Sequence, residues 1–457
     1  MNSRKFRFSS IHIIPLSFLA VILLGSLLLM LPFSTAAGES TDYLTALFTA
    51  TTSVCVTGLV VTDTFSHWST FGHVVIMLLI QAGGLGIITT VSMLMVVMRQ
   101  KFSLGDRVLL QDSLNLSSRE GILSFLIKVV LGTFVVEALG AIFYCFSFIP
   151  RYGVGRGIWF SVFHAVSAFC NAGLDIIGSS SLSGYRSDPF VLTVTMILIV
   201  MGGLGFVVWF DIVTGLREAR SRKLSFRQAV LRLSEHTRLV LVLTAFLIVS
   251  GAVIILAVEY RNPQTLGGMS LPGKVLNSFF ESVTLRTAGF SAIPQEGLTE
   301  LSCLAAYAFM FIGGSPVGTA GGVKTVTVFL VLKGTLSYIR GKSEDTVFKR
   351  GVTLDLMRKA TAVVTVSLMA VGFFTVMLLA VQHSITMEDG LFEVISALAT
   401  VGLSRGLTAS LNTAARVIII ICMYLGRIGP ISMAIFFTGQ KNTGRGVKYA
   451  DGNFFVG

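Results

Sequence analysis

The sequence predicts an all-α integral membrane protein, with eight transmembrane helices forming four parallel units of spanning helix, pore loop and spanning helix around one pseudo-four-fold pathway. Three observations point to it. Of 457 residues, 53% are hydrophobic and only 13% charged, and a mean hydropathy of +0.81 leaves too little polar surface to clothe soluble domains of that length. Eight apolar runs reach the ~20 residues that cross a bilayer. Inside each pair of runs lies a shorter helical segment that ends in glycine, four times over.

The first run, residues 13–33, follows Arg4, Lys5 and Arg7. It exceeds the ~7 to 15 apolar residues of a signal core, so it is expected to remain as the first span. The other runs are 74–98, 123–148, 191–213, 239–258, 304–332, 360–381 and 417–437. The short segments are 44–58, 159–173, 276–289 and 391–402; each places a phenylalanine (Phe48, Phe163, Phe279, Phe392) ten residues before its terminal glycine. Those glycines, Gly58, Gly173, Gly289 and Gly402, stand 115, 116 and 113 residues apart. Self-similarity at a fixed period outranks other signals for architecture. It divides the chain into units at 1–110, 111–225, 226–350 and 351–440, with a cytoplasmic tail at 441–457.

A second glycine cluster recurs in the later helix of each unit, at 83–86, 202–205, 313–314 and 426–429, where it serves either close helix packing or the lining of a pathway. The third unit differs, because residues 313–325 hold five glycines and Pro316. At about 1 kcal/mol per glycine and ~3 for proline, no continuous helix survives. An irregular stretch at membrane depth must line a cavity, unless it is only a packing kink.

Charge fixes the orientation. Two spans per unit send every unit in from one side, and 25 of the 35 Lys and Arg fall on the expected cytoplasmic pieces against seven outside, as the positive-inside rule requires. Both termini are therefore expected in the cytoplasm of a multi-pass plasma (inner) membrane protein. The net charge of +12 reads as topogenic, not as a nucleic-acid surface. Outside, twelve acidic residues, Asp63, Asp175, Glu259, Glu281, Glu388, Asp389 and Glu393 among them, form either a cation-gathering vestibule or ordinary solvated loops.

Four re-entrant loops in register imply a shared cavity, where glycine lets carbonyls turn inward and replace the water shell of a monovalent cation. The short helices aim their negative ends at it. Enzymatic constellations do not emerge: six scattered histidines and five scattered cysteines give no metal spacing. Gly318, Gly322, Lys324 and Thr325 miss the phosphate-loop pattern by an inserted valine. Cys55 and Cys170, each three before its glycine, read as small packing residues.

The stretches Thr52-Ser53-Val54-Cys55-Val56-Thr57-Gly58-Leu59, Ser167-Ala168-Phe169-Cys170-Asn171-Ala172-Gly173, Thr284-Leu285-Arg286-Thr287-Ala288-Gly289-Phe290 and Ala399-Thr400-Val401-Gly402-Leu403, with Gly426-Arg427-Ile428-Gly429-Pro430, resemble the pore-forming subunits of Ktr-type potassium uptake systems in the Trk/Ktr/HKT superfamily. The resemblance covers nearly the whole chain. It implies a potassium filter made by the backbone carbonyls of Val56, Thr57, Gly58; Asn171, Ala172, Gly173; Thr287, Ala288, Gly289; and Thr400, Val401, Gly402. It implies a gating loop with Gly313, Gly314, Ser315, Gly318, Gly321, Gly322 and Lys324, and an arginine, Arg427, that acts as an electrostatic barrier or tethers that loop, the alternative being a buried ion pair.

It further implies a homodimer that docks a cytosolic ring of RCK/KTN-type nucleotide-binding subunits through the basic loops and residues 449–452. ATP, ADP or NAD would then sit on the partner, no cofactor on this chain, and sodium activation occurs in parts of the family. Lys324 is expected to snorkel to the cytoplasmic face and Arg286 to brace loop carbonyls from behind, while Glu137 has no assigned partner. The rival readings are a sodium-permeable or poorly selective relative and, in another class, a membrane-embedded enzyme or small-solute carrier.

Overall fold

A computed structural model describes residues 10–98, 122–223, 225–341, 345–348 and 350–429. Arg4, Lys5 and Arg7, most of the basic stretch after the second run, and the tail with residues 449–452 lie outside the described residues.

The chain opens with α1 (Ser10–Leu29), α2 (Tyr43–Val54), α3 (Thr64–His67), α4 (Thr70–Leu85) and α5 (Ile87–Val97). Next come α6 (Ile122–Tyr152), α7 (Val154–Cys170), α8 (Pro189–Gly203), α9 (Phe206–Ser221) and α10 (Phe226–Arg232). The third stretch holds α11 (Glu235–Glu259), α12 (Leu271–Thr284), α13 (Glu300–Phe311) and α14 (Thr325–Ile339). After the hairpin β1 (Thr346–Val347) and β2 (Arg350–Gly351) come α15 (Leu354–Val381), α16 (Met387–Leu398) and α17 (Thr413–Ile428). Helices α1, α6, α11 and α15 are long and apolar enough to cross a bilayer, and each is followed by one of the short helices α2, α7, α12 and α16.

Burial separates the two kinds of helix. The long ones expose large apolar side chains, among them Leu24, Phe146, Phe246 and Val376, each more than three-fifths exposed, a surface suited to lipid and not to water. The short ones form the core: Phe48, Phe163, Phe280 and Phe392 are wholly buried. Phe280 takes this place instead of the expected Phe279, which is only half-buried, so the buried phenylalanine of the third unit stands nine residues before its glycine and not ten. Side-chain caps start many of the helices. Asp42, Ser69, Asp188, Ser234, Thr299, Thr353, Thr386 and Asn412 each accept from a first-turn N–H, a contribution of about 1 kcal/mol apiece.

The later helix of each unit was expected to be continuous except in the third, and here the structure differs. Helix α4 stops at Gly86 (φ +86°), the α8–α9 pair bends by 98° at a break containing Gly205 (φ +90°), and α17 stops at Gly429 (φ +96°). In these three clusters the last glycine supplies a left-handed backbone that side-chain-bearing residues rarely adopt. Clusters read as packing patches or pathway lining thus also end their helices. The run 417–437 is described as far as Gly429.

Candidate functional site

The short helices α2, α7 and α16 end in one hydrogen-bond pattern. The N–H groups of Thr57, Ala172 and Val401 donate to the carbonyls of Thr52, Ser167 and Ser396, and those of Val56, Asn171 and Thr400 to Ser53, Ala168 and Ala397. This is the Schellman cap, whose C′ residue must be left-handed. Val56 (φ 55°), Asn171 (φ 60°) and Thr400 (φ 50°) are so, as is Thr287 (φ 65°) in the third loop. There Ala288 N–H donates to Thr284 instead. Valine and threonine are β-branched and costly in this region, at about 1–3 kcal/mol each. Such strain persists only where the surroundings over-determine it, and it marks a site whose backbone matters.

Two residues on, the four glycines meet. Gly58, Gly173, Gly289 and Gly402 all have positive φ, between 65° and 102°. A Cβ on Gly58 would lie 2.6 Å from Ala172 O, on Gly173 2.7 Å from Ala288 O, on Gly289 2.6 Å from Val401 O, and on Gly402 it would collide with Thr57 O. Each glycine thus packs against the carbonyl preceding the glycine of the next loop, and the fourth closes on the first. Buried hydroxyls hold the loops behind this ring: Gly58 and Gly402 N–H donate to Thr52 and Ser396 Oγ (2.9 and 3.0 Å), and Ser167 and Thr284 donate to the carbonyls of Leu174 and Phe290 (2.5 and 2.6 Å).

The later helices pack glycine on the ends of these short helices. A Cβ on Gly83 would strike Val54 O, on Gly202 Phe169 O and on Gly426 Leu398 O, each carbonyl lying four residues before its loop glycine. The recurrent clusters thus serve close contact, and their breaks free backbone groups for residues 312–324. Ser315 and Thr319 N–H donate to Gly203 and Gly202 O (2.9 and 3.1 Å), and Phe206 N–H donates to Val317 O (2.9 Å). Within the loop, Gly313 N–H meets Val323 O and Gly314 N–H meets Gly321 O (3.0 and 3.3 Å). Gly318 lies against Gly202 and Gly205, and Gly322 against Gly313.

Arg427 reaches this loop. One terminal nitrogen donates to Thr319 O at 2.7 Å and the other to Gly83 O, so its partners are carbonyls and not the carboxylate of an ion pair. Lys324 does not snorkel outward: its ammonium donates to the loop carbonyl of Ala320 at 2.7 Å. Arg286 contacts Gly313 O at 3.4 Å, bracing the irregular loop. Glu137 sits 3.8 Å from Cys170 Sγ, and Cys55 and Cys170 are fully buried among the helix ends. Sequence reasoning missed Thr319, which lies within 3.1 Å of Phe169 O and 3.0 Å of Asn171 Oδ1. The only signal in the chain is a hydroxyl amid the glycines.

Much of the acidic outer charge is already engaged. Glu259, Glu281 and Glu393 are wholly buried; Glu259 accepts from Thr265, Thr299 and Ser302, Glu281 from Gln295, and Glu393 from Ser404 and Thr408. Arg405 pairs with Glu388 and Asp389 (3.3 and 2.9 Å) and Arg151 with Asp188 (2.6 Å). Much of the expected acidic cluster is therefore a set of local braces, and Asp175 lies two residues beyond Gly173.

Comparison with known proteins agrees with this geometry. The TrkH family, described as cation transport proteins, matches residues 7–446. The potassium/sodium uptake protein NtpJ of Enterococcus hirae is 36% identical, over 99% of this chain and 98% of that protein. The Ktr system potassium uptake protein B of Bacillus subtilis is 35% identical, over 99% and 97%. The crystal structure of the potassium transporter TrkH from Vibrio parahaemolyticus superposes with a TM-score of 0.74 at 15% identity, over 96% of this chain and 87% of that one, which establishes the shared helical membrane fold. The chain belongs to the TrkH family of cation transport proteins, within the Trk/Ktr superfamily.

Proposed function

We propose that the chain takes up potassium across the plasma membrane through a channel-like pore of eight spans in four parallel units. The observation that carries this is the closed ring in which each loop glycine abuts the carbonyl of the next loop. Four backbone segments with left-handed turns at matching positions surround one axis with carbonyls, the ligands that replace a cation's hydration shell. In this reading Val56–Gly58, 171–173, 287–289 and 400–402 form the filter. The loop at 313–325, pinned by Arg427 and Lys324, is the gate. The names of the relatives, potassium uptake proteins of which one belongs to a named Ktr system, support potassium as cargo and a partner subunit. A homodimer regulated by a cytosolic nucleotide-binding ring, with both termini cytoplasmic, completes the proposal.

A second reading, a sodium-permeable pore, is favoured by the unlike residues at the strained position (Val56, Asn171, Thr287, Thr400) and by the potassium/sodium name of one relative. Flux of potassium and sodium by the purified chain in liposomes separates the two. Potassium-selective uptake supports the filter, equal sodium flux selects the second reading, and no flux of either ion, with or without the partner subunit, overturns both.

A further inference from the structure

Three of the four strained filter residues touch the irregular loop with their side chains. Asn171 Oδ1 is 3.0 Å from the Thr319 hydroxyl. Thr287 Oγ1 accepts from Gly321 N–H at 3.1 Å. Thr400 packs so closely on Gly321 that a Cβ there would run into its hydroxyl. All three are buried. The fourth, Val56, has no polar group, and in its quadrant Arg427 bridges Thr319 O to Gly83 O. Loop residues 319–321 therefore rest on side chains whose own backbone dihedrals set the direction of the next filter carbonyls, Ala172, Ala288 and Val401.

We propose that Asn171, Thr287 and Thr400 are positioning residues that couple cation occupancy of the filter to docking of the loop, so that loop release weakens the filter's hold on its ion. The proposal rests on the filter reading above. An ion that draws the carbonyls inward stabilises the left-handed turns and with them the side chains on which the loop rests. Releasing the loop removes the hydrogen bonds at Thr319 and Gly321 that hold those strained turns. Linkage makes the effect reciprocal: whatever factor docking adds to ion affinity, the ion adds to docking. The loop would then deliver the ion as well as unblock its path.

The test is amide hydrogen exchange at residues 313–324 of the full chain in lipid nanodiscs, in potassium and in choline, with potassium binding measured in parallel by calorimetry. In the unmodified protein potassium is expected to slow exchange there about fivefold or more. Thr319→Val, a near-isosteric change on the loop side of the contact, is expected to leave the filter able to bind potassium but to abolish the potassium-dependent difference. A purely structural role would raise exchange equally in both salts. Potassium binding with no change in loop protection, or a Thr319→Val variant that retains the full difference, overturns the coupling and leaves the filter standing. Absence of potassium binding overturns both.

Discussion

The ends of the short helices and the later helices solve opposite problems. At the short-helix ends the sequences diverge, with Val56, Asn171, Thr287 and Thr400 at the strained position, yet the backbone keeps a left-handed residue there four times. In the later helices the glycine clusters look alike in sequence, yet the backbone diverges: a stop at Gly86, a 98° bend at Gly205, and an irregular loop after α13. Where side chains vary and geometry holds, the backbone is the working part. In the proposed function, the place where geometry varies is the moving part.

The sharpest break of that contrast is a Cβ in the ring. Gly402→Ser forces a side chain against Thr57 O and Gly58 at φ +94°, strain of about 1–3 kcal/mol that corresponds to about a 5- to 150-fold loss. Potassium preference over sodium in liposome flux is expected to fall by that factor, and Gly58→Ser to do the same. Wild-type selectivity in both would remove the ring from the mechanism.

Arg427→Gln addresses the moving part next. It deletes a charge-assisted hydrogen bond to Thr319 O and another to Gly83 O, contacts of about 1.5–3 kcal/mol each, so undocking is expected to rise at least tenfold and flux with it. Removing residues 316–320 should act in the same direction. Unchanged flux in both would make the stretch a kink and not a gate.

A paired glycine test then separates the two regions. Gly202→Ala would press on Thr319 as well as Phe169 O, whereas the nearest contacts of Gly426→Ala would all be with Leu398. Both are expected to lower thermal stability, but only Gly202→Ala to raise flux, by about fivefold. Equal flux from the two would mean that docking on the α8 break does not hold the loop.

How far these parts were legible follows from the same contrast. The four loop glycines and the broken third unit are periodic or compositional signals, readable in one dimension, whereas the placing of Arg427 near that unit came from the family resemblance. The strained residues were not readable, since valine and threonine advertise the opposite of a left-handed turn and only the surrounding core imposes it. The breaks at Gly86, Gly205 and Gly429 were hidden because glycine clusters serve close packing and chain breaks alike. The one-residue shift to Phe280 escaped because adjacent phenylalanines fit the repeat equally well. The outer carboxylates misled as a group, because charge counts do not reveal that Glu259, Glu281 and Glu393 are buried and hydrogen-bonded.

Asp175 gives the smallest effect. Its carboxyl, on the outward turn two residues past Gly173, is pushed up to about 7 by burial, with Asp63 adding in the same direction and Ser181 and the Ile177 amide opposing. A carboxyl raised in the folded chain is neutral below that value, so its charge appears as external pH climbs through about 7. The same shift lowers stability as pH rises from the ordinary carboxylate range to about 7, where the unfolded chain has ionised and the folded one has not. A negative charge at the mouth raises the local cation concentration. Uptake at sub-saturating potassium is thus expected to rise about twofold with pH across this range, and Asp175→Asn to flatten the profile at its low-pH level. If the asparagine variant keeps the wild-type slope, the outer mouth contributes no titrating charge, and control of the pathway lies wholly with the ring and the loop.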